Sequence, residues 1–237
     1  DKPLRLPGQS LDEERAAVIE DKLESPLLMA AFMSVLAGWE WARDVFQWQT
    51  KPWLVTACAI GVIGFAAYRV LRWRPRLRAL RQGMEGERAV GQFLERLREN
   101  GYHVFHDIVG TAFNIDHVLI GPAGVFAIET KTWSKPAKGD ARVTCKDGAL
   151  QAAGHTPDRD PLAQSRAASS WLRQLLADST GRRLEVRPVV LFPGWFVEQD
   201  APSRSHVWVL EPKAQPAFLS HEPARLKATH ARTVSGV

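Results

Sequence analysis

Cysteine is scarce in this chain of 237 residues, which contains only Cys58 and Cys145. Neither has a second cysteine nearby, so the sequence excludes a disulfide framework and a zinc site built on paired cysteines. Low cysteine content is typical of a domain kept in a reducing compartment. The sequence also contains no internal repeat and no low-complexity tract, and the part after residue 82 is long enough for the core of one domain.

The chain also lacks a broad excess of positive charge. Its formal net charge is +5. Six arginines that follow an apolar run exceed this whole excess: Arg69, Arg72, Arg74, Arg76, Arg78 and Arg81. The remainder is close to neutral, so the overall basic character does not indicate DNA binding. We expect these arginines to bind the anionic headgroups of membrane lipids.

Two uncharged runs lie in the first third of the chain, at residues 27–39 and 53–68. With Val70 and Leu71 the second run approaches the roughly 20 residues that span a bilayer, whereas the first, at about 13 residues, is short. Tryptophans cluster beside the runs, as at membrane interfaces, and the arginines indicate the cytoplasmic side. We predict a helical hairpin in the inner (cytoplasmic) membrane with both ends in the cytoplasm. The alternatives are a single span and a surface-lying amphipathic helix over residues 27–48.

A predicted β-hairpin at residues 114–131 carries charged side chains inside apolar strands. Side chains alternate between the faces of a strand, so Glu129 and Lys131 share one face while Phe126 and Ile128 lie on the opposite, buried face. Asp116 is on the first strand of the hairpin. A carboxylate among such apolar neighbours requires a cation or a hydrogen-bond donor.

An acid on one strand and Glu-x-Lys on the next are the side chains that phosphodiester hydrolysis needs. Two carboxylates can hold Mg²⁺ or Mn²⁺, hard cations that take oxygen ligands and keep several waters. The metal acidifies one of those waters, and a neighbouring ammonium group can orient it or offset charge at the phosphorus. We predict that Asp116 and Glu129 bind metal and that Lys131 is catalytic. Glu-x-Lys alone is a weak signal, because it also occurs on solvated strand edges.

Further motifs surround the hairpin. In chain order they are Gly86-Glu87, Asn114-Ile115-Asp116-His117, Gly121-Pro122, Gly124-Val125-Phe126, Ile128-Glu129-Thr130-Lys131, and Asp160-Pro161-Leu162 with Gln164. Over about residues 83 to 200 this pattern resembles the nuclease-related domain (NERD) family, which is similar to the PD-(D/E)XK nucleases, including the Mrr-like restriction endonucleases. The resemblance implies a restriction-endonuclease-like α/β fold, with a mixed sheet flanked by helices, and a nuclease site.

The resemblance also implies roles for two more residues. Glu87 would be a supporting acid that steadies the metal, and Gln164 would contact the substrate phosphate or Lys131. Glu87 lies on the apolar stripe of its helix, three residues before Val90, so it points toward the sheet. The alternatives are a structural glutamate at 87 and a solvated residue at 164, near a helix start with Asp160 as N-cap.

The histidines of the predicted strands indicate structure more than chemistry. His117 adjoins Asp116 but projects to the other face of its strand, so we expect a structural role. His103 and His106 flank two apolar residues in the preceding predicted strand. We expect these two histidines at the surface.

Composition divides the chain into four predicted segments: a polar N-terminal segment at 1–25, a membrane module at 26–73, a basic juxtamembrane linker at 74–82 and a NERD-like nuclease domain at 83–237. The elements predicted after residue 82 are a helix at 84–99, a strand at 102–109, the hairpin, weak strands near 142–145 and 149–152, a helix at 161–178, strands at 186–192 and 206–210, and a C-terminal helical piece. This order predicts the α/β class.

Three classes of function compete. The first is a membrane-anchored, divalent-metal-dependent nuclease that hydrolyses DNA. The second is an inactive nuclease-fold module that binds nucleic acid or a partner protein at the membrane, and the third is a membrane scaffold. The presence of all five site residues together favours the first. The expected partners are DNA, with RNA as an alternative, membrane lipids and a second copy of the chain.

Overall fold

The structure is a computed structural model that describes residues 5–47, 52–110, 113–135, 140–153 and 160–226. The chain forms two compact units. One consists of Leu11–Arg81 and the other of Asp1–Ser10 together with Gln82–Val237.

The unit Leu11–Arg81 is helical. Its elements are α1 (Gln9–Val18), a π-helical stretch (Ile19–Glu24), α2 (Ser25–Val45) and the first part of α3 (Pro52–Glu95). Trp41 Nε1 donates a hydrogen bond to Thr56 Oγ1 at 3.1 Å, and the Arg69 guanidinium donates to the Lys22 carbonyl at 3.1 Å. The two apolar runs therefore lie in adjacent antiparallel helices.

One helical segment among the described residues, Trp53–Asn100, is long and apolar enough to cross a membrane, judged by length and composition alone. Its most apolar 18 residues have a mean hydropathy of 1.9, and 11% of them are buried inside the protein. Ile60, Phe65 and Leu71 are exposed, unlike the side chains of a soluble core helix. The shorter run in α2 does not meet the same standard. Both crossings of the predicted hairpin stay predictions.

The other unit contains two sheets. In chain order its strands are β1 (His103–Val109), β2 (Asn114–Gly121), β3 (Gly124–Thr130), β4 (Arg142–Lys146), β5 (Ala149–Ala152), β6 (Val186–Leu191), β7 (Phe196–Gln199) and β8 (Trp208–Leu210). Its helices after α3 are α4 (Pro161–Thr180), α5 (Ala201–His206) and α6 (Gln215–His221), with 3₁₀ turns at Arg96–Asn100 and Pro212–Ala214.

The larger sheet has the strand order β1-β2-β3-β6-β8. Its first three strands are antiparallel neighbours, whereas β6 and β8 run parallel to β3. A parallel pair requires a long crossover, and the segment that contains α4 supplies it between β3 and β6. The smaller sheet has the order β5-β4-β7, and its residue Val143 belongs to a third apolar cluster together with Val190 and Val209 of the larger sheet.

Helices cover both faces of the larger sheet. Leu94 of α3 shares one core cluster with Ile128 of β3, and Leu172 of α4 shares a second cluster with Ala127. Because residues 127 and 128 point to opposite faces, β3 is enclosed on both sides. The predicted mixed α/β fold, with a sheet flanked by helices, is confirmed.

Three details differ from the predicted elements. The helix predicted at 84–99 is the end of α3, which starts at Pro52 because the intervening arginines favour helix and Pro75 does not end it. Two short elements, β7 and α5, were not predicted, since four and six residues give too little periodicity. The strand predicted from 206 begins at Trp208, after α5.

Candidate active site

Strand β3 carries one charged residue in an otherwise enclosed strand. All seven of its residues are buried, and Glu129 is only 5% exposed. Glu129 follows Val125 and Ala127 in the alternation of the strand, so it faces the side covered by α4. A carboxylate buried this deeply requires hydrogen bonds or a cation.

Lys131 and Gln164 provide those partners. Lys131 Nζ lies 2.6 Å from Glu129 Oε1 and donates to Gln164 Oε1 at 3.0 Å. Gln164 Nε2 donates to the same Glu129 oxygen at 2.6 Å. Each of the three side chains therefore contacts the other two. The contact of Gln164 with Lys131 is one of the two contacts predicted for it.

The start of α4 fixes the position of Gln164. Asp160 is the N-cap, and its carboxylate accepts a hydrogen bond from the Leu162 N–H at 2.9 Å. Pro161 stands at the first helical position, where its missing N–H has no cost. The Gln164 N–H then donates to the Asp160 carbonyl at 3.2 Å. This cap directs the first turn of the helix toward the end of β3.

Asp116 lies opposite Glu129 on the neighbouring strand. The β2–β3 register pairs His117 with Ile128, and continuing it by one residue brings Asp116 opposite Glu129. The backbone N–H of Thr130 donates to Asp116 Oδ2 at 2.6 Å. Residues directly opposite in an antiparallel pair project from the same face. The two predicted metal ligands therefore meet on one face of the sheet.

Glu87 reaches the site because α3 packs very close to the chain after β3. A Cβ atom at Gly86 would lie 1.8 Å from Thr132 Cγ2, so only glycine fits there. Gln82 Nε2 donates to the Thr132 carbonyl at 3.5 Å, which ties the same helix to the same segment. Glu87, the next residue on α3, is 9% exposed. The glycine thus permits the approach that buries Glu87 beside the other acids.

Burial raises the pKa of all three acids. It raises the pKa of Glu87 to about 8, helped by repulsion from Asp107 and Glu129. Burial also raises the pKa of Asp116 well above its usual range, with repulsion from Glu129 and Glu87, although the hydrogen bond from Thr130 and attraction to Lys131 oppose the rise. The pKa of Glu129 is raised by burial and lowered in part by Lys131. The carboxyl groups are therefore close enough to repel one another, and Lys131 attracts all three.

The donor set suits a hard divalent cation. Carboxylate oxygens are preferred ligands of Mg²⁺ and Mn²⁺, and one lysine cannot balance the charge of three ionised carboxylates. Within the described ranges, no three acidic, histidine or cysteine side chains are close enough to share one ion. Glu129 instead contacts Lys131, and Asp116 accepts from Thr130. Ligation by Asp116, Glu129 and Glu87 would require side-chain rotation away from these bonds.

The structure thus brings the five predicted site residues into one interacting set. Glu87, Asp116 and Glu129 interact electrostatically, and Lys131 and Gln164 bond to Glu129. Their catalytic and metal-binding roles stay predictions.

Asp107 also lies beside the site, although it was not predicted from the sequence. It is 2% exposed, it raises the pKa of Glu87 by repulsion, and the β1–β2 register leads to Asp116 as its opposite residue. The available signal was a second acid in an apolar strand, His103–Val109, next to the strand of Asp116. Its partners come from residues 5–10, which no local pattern connects to it.

The prediction that His106 lies at the surface is wrong. His106 is 3% exposed, its Nδ1 lies 2.8 Å from His117 Nδ1, and its Nε2 lies 2.8 Å from Glu95 Oε1. His117 is fully buried. With Glu95 ionised, neutral His106 donates through Nε2 and accepts through Nδ1, so His117 donates from Nδ1. The pair fills a core position through bonds to partners distant in sequence.

The fold and the site define a class: an α/β sheet covered by helices on both faces, in which carboxylates on β2 and β3 lie beside a lysine that follows β3, as in nuclease-like domains. Residues 82–193 match the family model of the nuclease-related domain, NERD. This match confirms the resemblance, includes the five predicted residues and covers slightly less than half of the chain. The similarity of this segment to the nuclease-related domain suggests a nuclease-like function and is consistent with a relation to the PD-(D/E)XK superfamily.

The chain is also similar to an uncharacterized protein from Bacillus anthracis. The two are 35% identical over 57 residues, which cover 22% of this chain and 27% of that protein. The chain therefore matches only about a quarter of the length of this relative. No solved structure matches the chain at a significant level.

Proposed function

We propose that this protein is a membrane-anchored, divalent-metal-dependent nuclease that hydrolyses phosphodiester bonds in DNA, with a restriction-endonuclease-like site. The observation that carries the proposal is the closed set of Glu129, Lys131 and Gln164 inside a nuclease-related domain. A carboxylate that is 5% exposed and bonded to a lysine is expensive to bury, and a hydrolytic site gives it a use.

In this proposal Asp116 and Glu129 would hold Mg²⁺ or Mn²⁺, with Glu87 as the supporting acid. The ion would supply a water that is acidic enough to attack phosphorus near neutral pH. Lys131 would place its ammonium group beside the scissile phosphate and offset the charge that develops there. Gln164 would hold Lys131 in that orientation, because its Oε1 already accepts a hydrogen bond from Nζ.

The protonation of the acids follows from the same geometry. Carboxylates must be ionised to bind a metal, and the pKa of Glu87 is about 8 without one. Attraction to Lys131 favours the ionised form of Glu129. We therefore expect metal binding to release protons and to strengthen as the pH rises toward 8.

A second candidate is an inactive nuclease-fold module that binds nucleic acid or a partner protein. The observation that favours it is the bonding of Asp116 and Glu129 to protein groups, with no three described ligands close enough for one ion. In that case the bonds of Asp116 and Glu129 would serve only to stabilise the ends of β2 and β3. Cleavage activity separates the two candidates.

Membrane anchoring forms the other part of the proposal. The exposed apolar stretch from Trp53 would cross the cytoplasmic membrane, and the arginines after it would keep the nuclease-related domain in the cytoplasm. A Cβ atom at Gly61 or Gly64 would meet nothing within 4 Å in the described part of the chain. Such open small residues would let a second copy pack closely in the membrane.

The test is cleavage of labelled single-stranded DNA, duplex DNA and RNA by the full chain in detergent, with Mg²⁺, with Mn²⁺ and with chelator. The proposal expects metal-dependent cleavage of DNA that Asp116→Asn abolishes. Glu198→Gln is the matched control, because Glu198 is an accessible carboxylate on β7 bonded to Arg142. DNA binding without cleavage by any variant would favour the inactive module.

A further inference from the structure

A short N-terminal segment belongs to the nuclease-related unit. Residues 1–10 group with residues 82–237, although the family match begins only at residue 82. Within this segment the structure describes Arg5–Ser10, called here the N-terminal strap. Nothing in the family match assigns the strap a role.

The strap bonds to Asp107 through three hydrogen bonds. Arg5 Nε donates to Asp107 Oδ2 at 2.9 Å, and the Ser10 N–H donates to the same oxygen at 2.8 Å. Ser10 Oγ donates to Asp107 Oδ1 at 2.5 Å and accepts from Asn114 Nδ2 at 2.6 Å. Ser10 therefore connects β1 to the start of β2, the strand that carries Asp116.

The strap also lies on α3 beside Glu87. The backbone of Gly8 approaches the Glu87 carboxylate closely enough to lower its pKa. Gly8 has φ +73°, and a Cβ atom there would lie 3.2 Å from the Met84 carbonyl oxygen, so glycine suits both the conformation and the space. Pro7 packs against Gly91, one turn further along the helix. The strap thus contacts α3 on both sides of Glu87.

Arg5 also places a positive charge beside the Asp107 carboxylate. The Asp107 carboxylate is buried and repels Glu87, and its ion pair with Arg5 offsets part of that negative charge. The Arg5 side chain is 29% exposed, so solvent weakens the ion pair without removing it. Loss of Arg5 would leave the buried Asp107 carboxylate with its hydrogen bonds from Ser10 but without its ion-pair partner.

We infer that the N-terminal strap is part of the candidate active site: Arg5 and Ser10 are positioning residues that hold Asp107. The strap also packs on α3 on both sides of Glu87 and so positions Glu87 for metal binding. This inference rests on the proposed function, because it assigns Glu87 to a metal. It adds to the site a segment that lies 72 or more residues before the first residue of the match.

The test measures Mn²⁺ affinity of the full chain in detergent by electron paramagnetic resonance, independently of cleavage. We expect Arg5→Gln and Ser10→Ala each to weaken Mn²⁺ binding by about 10- to 100-fold, the range for groups that orient metal ligands. Arg5→Lys and Ser10→Thr keep the charge or the hydroxyl and should recover most of the affinity. Arg15→Gln is the control, because Arg15 pairs with Asp12 at 3.7 Å on the surface of α1.

A double-mutant cycle shows whether the strap acts through Glu87. In a Glu87→Ala background, Ser10→Ala should cause no further loss of Mn²⁺ affinity. If Ser10→Ala lowered Mn²⁺ affinity equally in the wild-type and Glu87→Ala backgrounds, the inference would be overturned. Wild-type Mn²⁺ affinity in Arg5→Gln and Ser10→Ala would overturn it too, and neither result would affect the proposed nuclease function. Mn²⁺ binding by a wild type that cleaves no DNA would overturn the proposed function alone, and a wild type that binds no Mn²⁺ would overturn both.

Discussion

The ammonium group of Lys131 lies 2.6 Å from Oε1 of Glu129, which precedes it by two residues. The pair joins a lysine that is 22% exposed in its side chain to a carboxylate that is 5% exposed. The lysine therefore offers its charge to solvent and to a bound substrate while the acid faces inward. This difference in exposure suits the proposed roles, in which Glu129 would bind the metal and Lys131 would contact the substrate phosphate.

Glu129→Gln retains the shape of the side chain and removes its charge. We expect Mn²⁺ affinity to fall by more than about 100-fold, because losing a ligand should exceed the loss from removing a partner of a ligand. Electron paramagnetic resonance of Mn²⁺ with the full chain measures this affinity. Glu198→Gln should bind as the wild type does, and unchanged affinity in Glu129→Gln would remove Glu129 from the metal site.

Lys131→Met should separate metal binding from chemistry. Because Lys131 bonds directly to the proposed ligand Glu129 and would compete with the metal for it, its loss should leave Mn²⁺ affinity equal or higher. DNA cleavage should fall by about 100- to 1,000-fold. Single-turnover cleavage with saturating metal measures the effect. Lys135→Met provides the control, since Lys135 is exposed and follows the same strand end. Parallel losses of affinity and rate would show that Lys131 only supports the fold of the site.

Glu87 should make the metal-free protein less stable as pH rises. Its pKa is about 8 when folded against 4.5 as the reference. The folded state favours the protonated form of Glu87. The contribution of Glu87 to folding stability is therefore complete below pH 4.5 and is lost as pH rises toward 8. Linkage gives a loss of about 3 kcal/mol at pH 7. Glu87→Gln should therefore raise the Tm of chelated protein more at pH 8 than at pH 5, and equal shifts would contradict the pKa assignment.

His117 should make the protein less stable as the pH falls, which is the opposite of the effect expected for Glu87. Burial and the neighbouring His106 lower the pKa of His117 well below its usual range. The folded state keeps it neutral, so stability is present above about pH 6.5 and is lost as pH falls and the unfolded chain takes up a proton. His117→Leu should flatten the fall in unfolding free energy between about pH 6.5 and 5, measured with urea. An unchanged slope in His117→Leu would refute the prediction.

Anchoring predicts that a reporter at the C-terminus stays in the cytoplasm and that the protein sediments with membranes. Ile60 and Ile63 are exposed on the apolar stretch of α3. Replacing both with arginine should release the protein into the soluble fraction, because arginine is costly at the centre of a bilayer. Digestion of the reporter by protease outside intact cells would contradict the topology.

The parts of the site that the sequence predicted depend on local signals. Alternation of apolar and charged residues fixes the faces of β3, and an Asp-Pro start fixes the first turn of α4. These signals act within one element, so Glu129, Lys131 and Gln164 could be placed together from the sequence and the resemblance. The structure adds the distances that join them.

The parts that the sequence could not predict depend on contacts between distant residues. Asp107 bonds to Arg5 and Ser10, which precede it by 102 and 97 residues. His106 is buried because His117 and Glu95 satisfy its nitrogens, although an isolated histidine in a strand resembles a surface residue. No periodicity within a strand carries such information.

The most direct measurement of the central claim follows Mn²⁺ binding and DNA cleavage in one titration of the full chain. The proposed site predicts that cleavage rises with metal occupancy in the wild type and that Glu129→Gln loses both together. Cleavage that persists in Glu129→Gln, or metal binding that never leads to cleavage in the wild type, would contradict it.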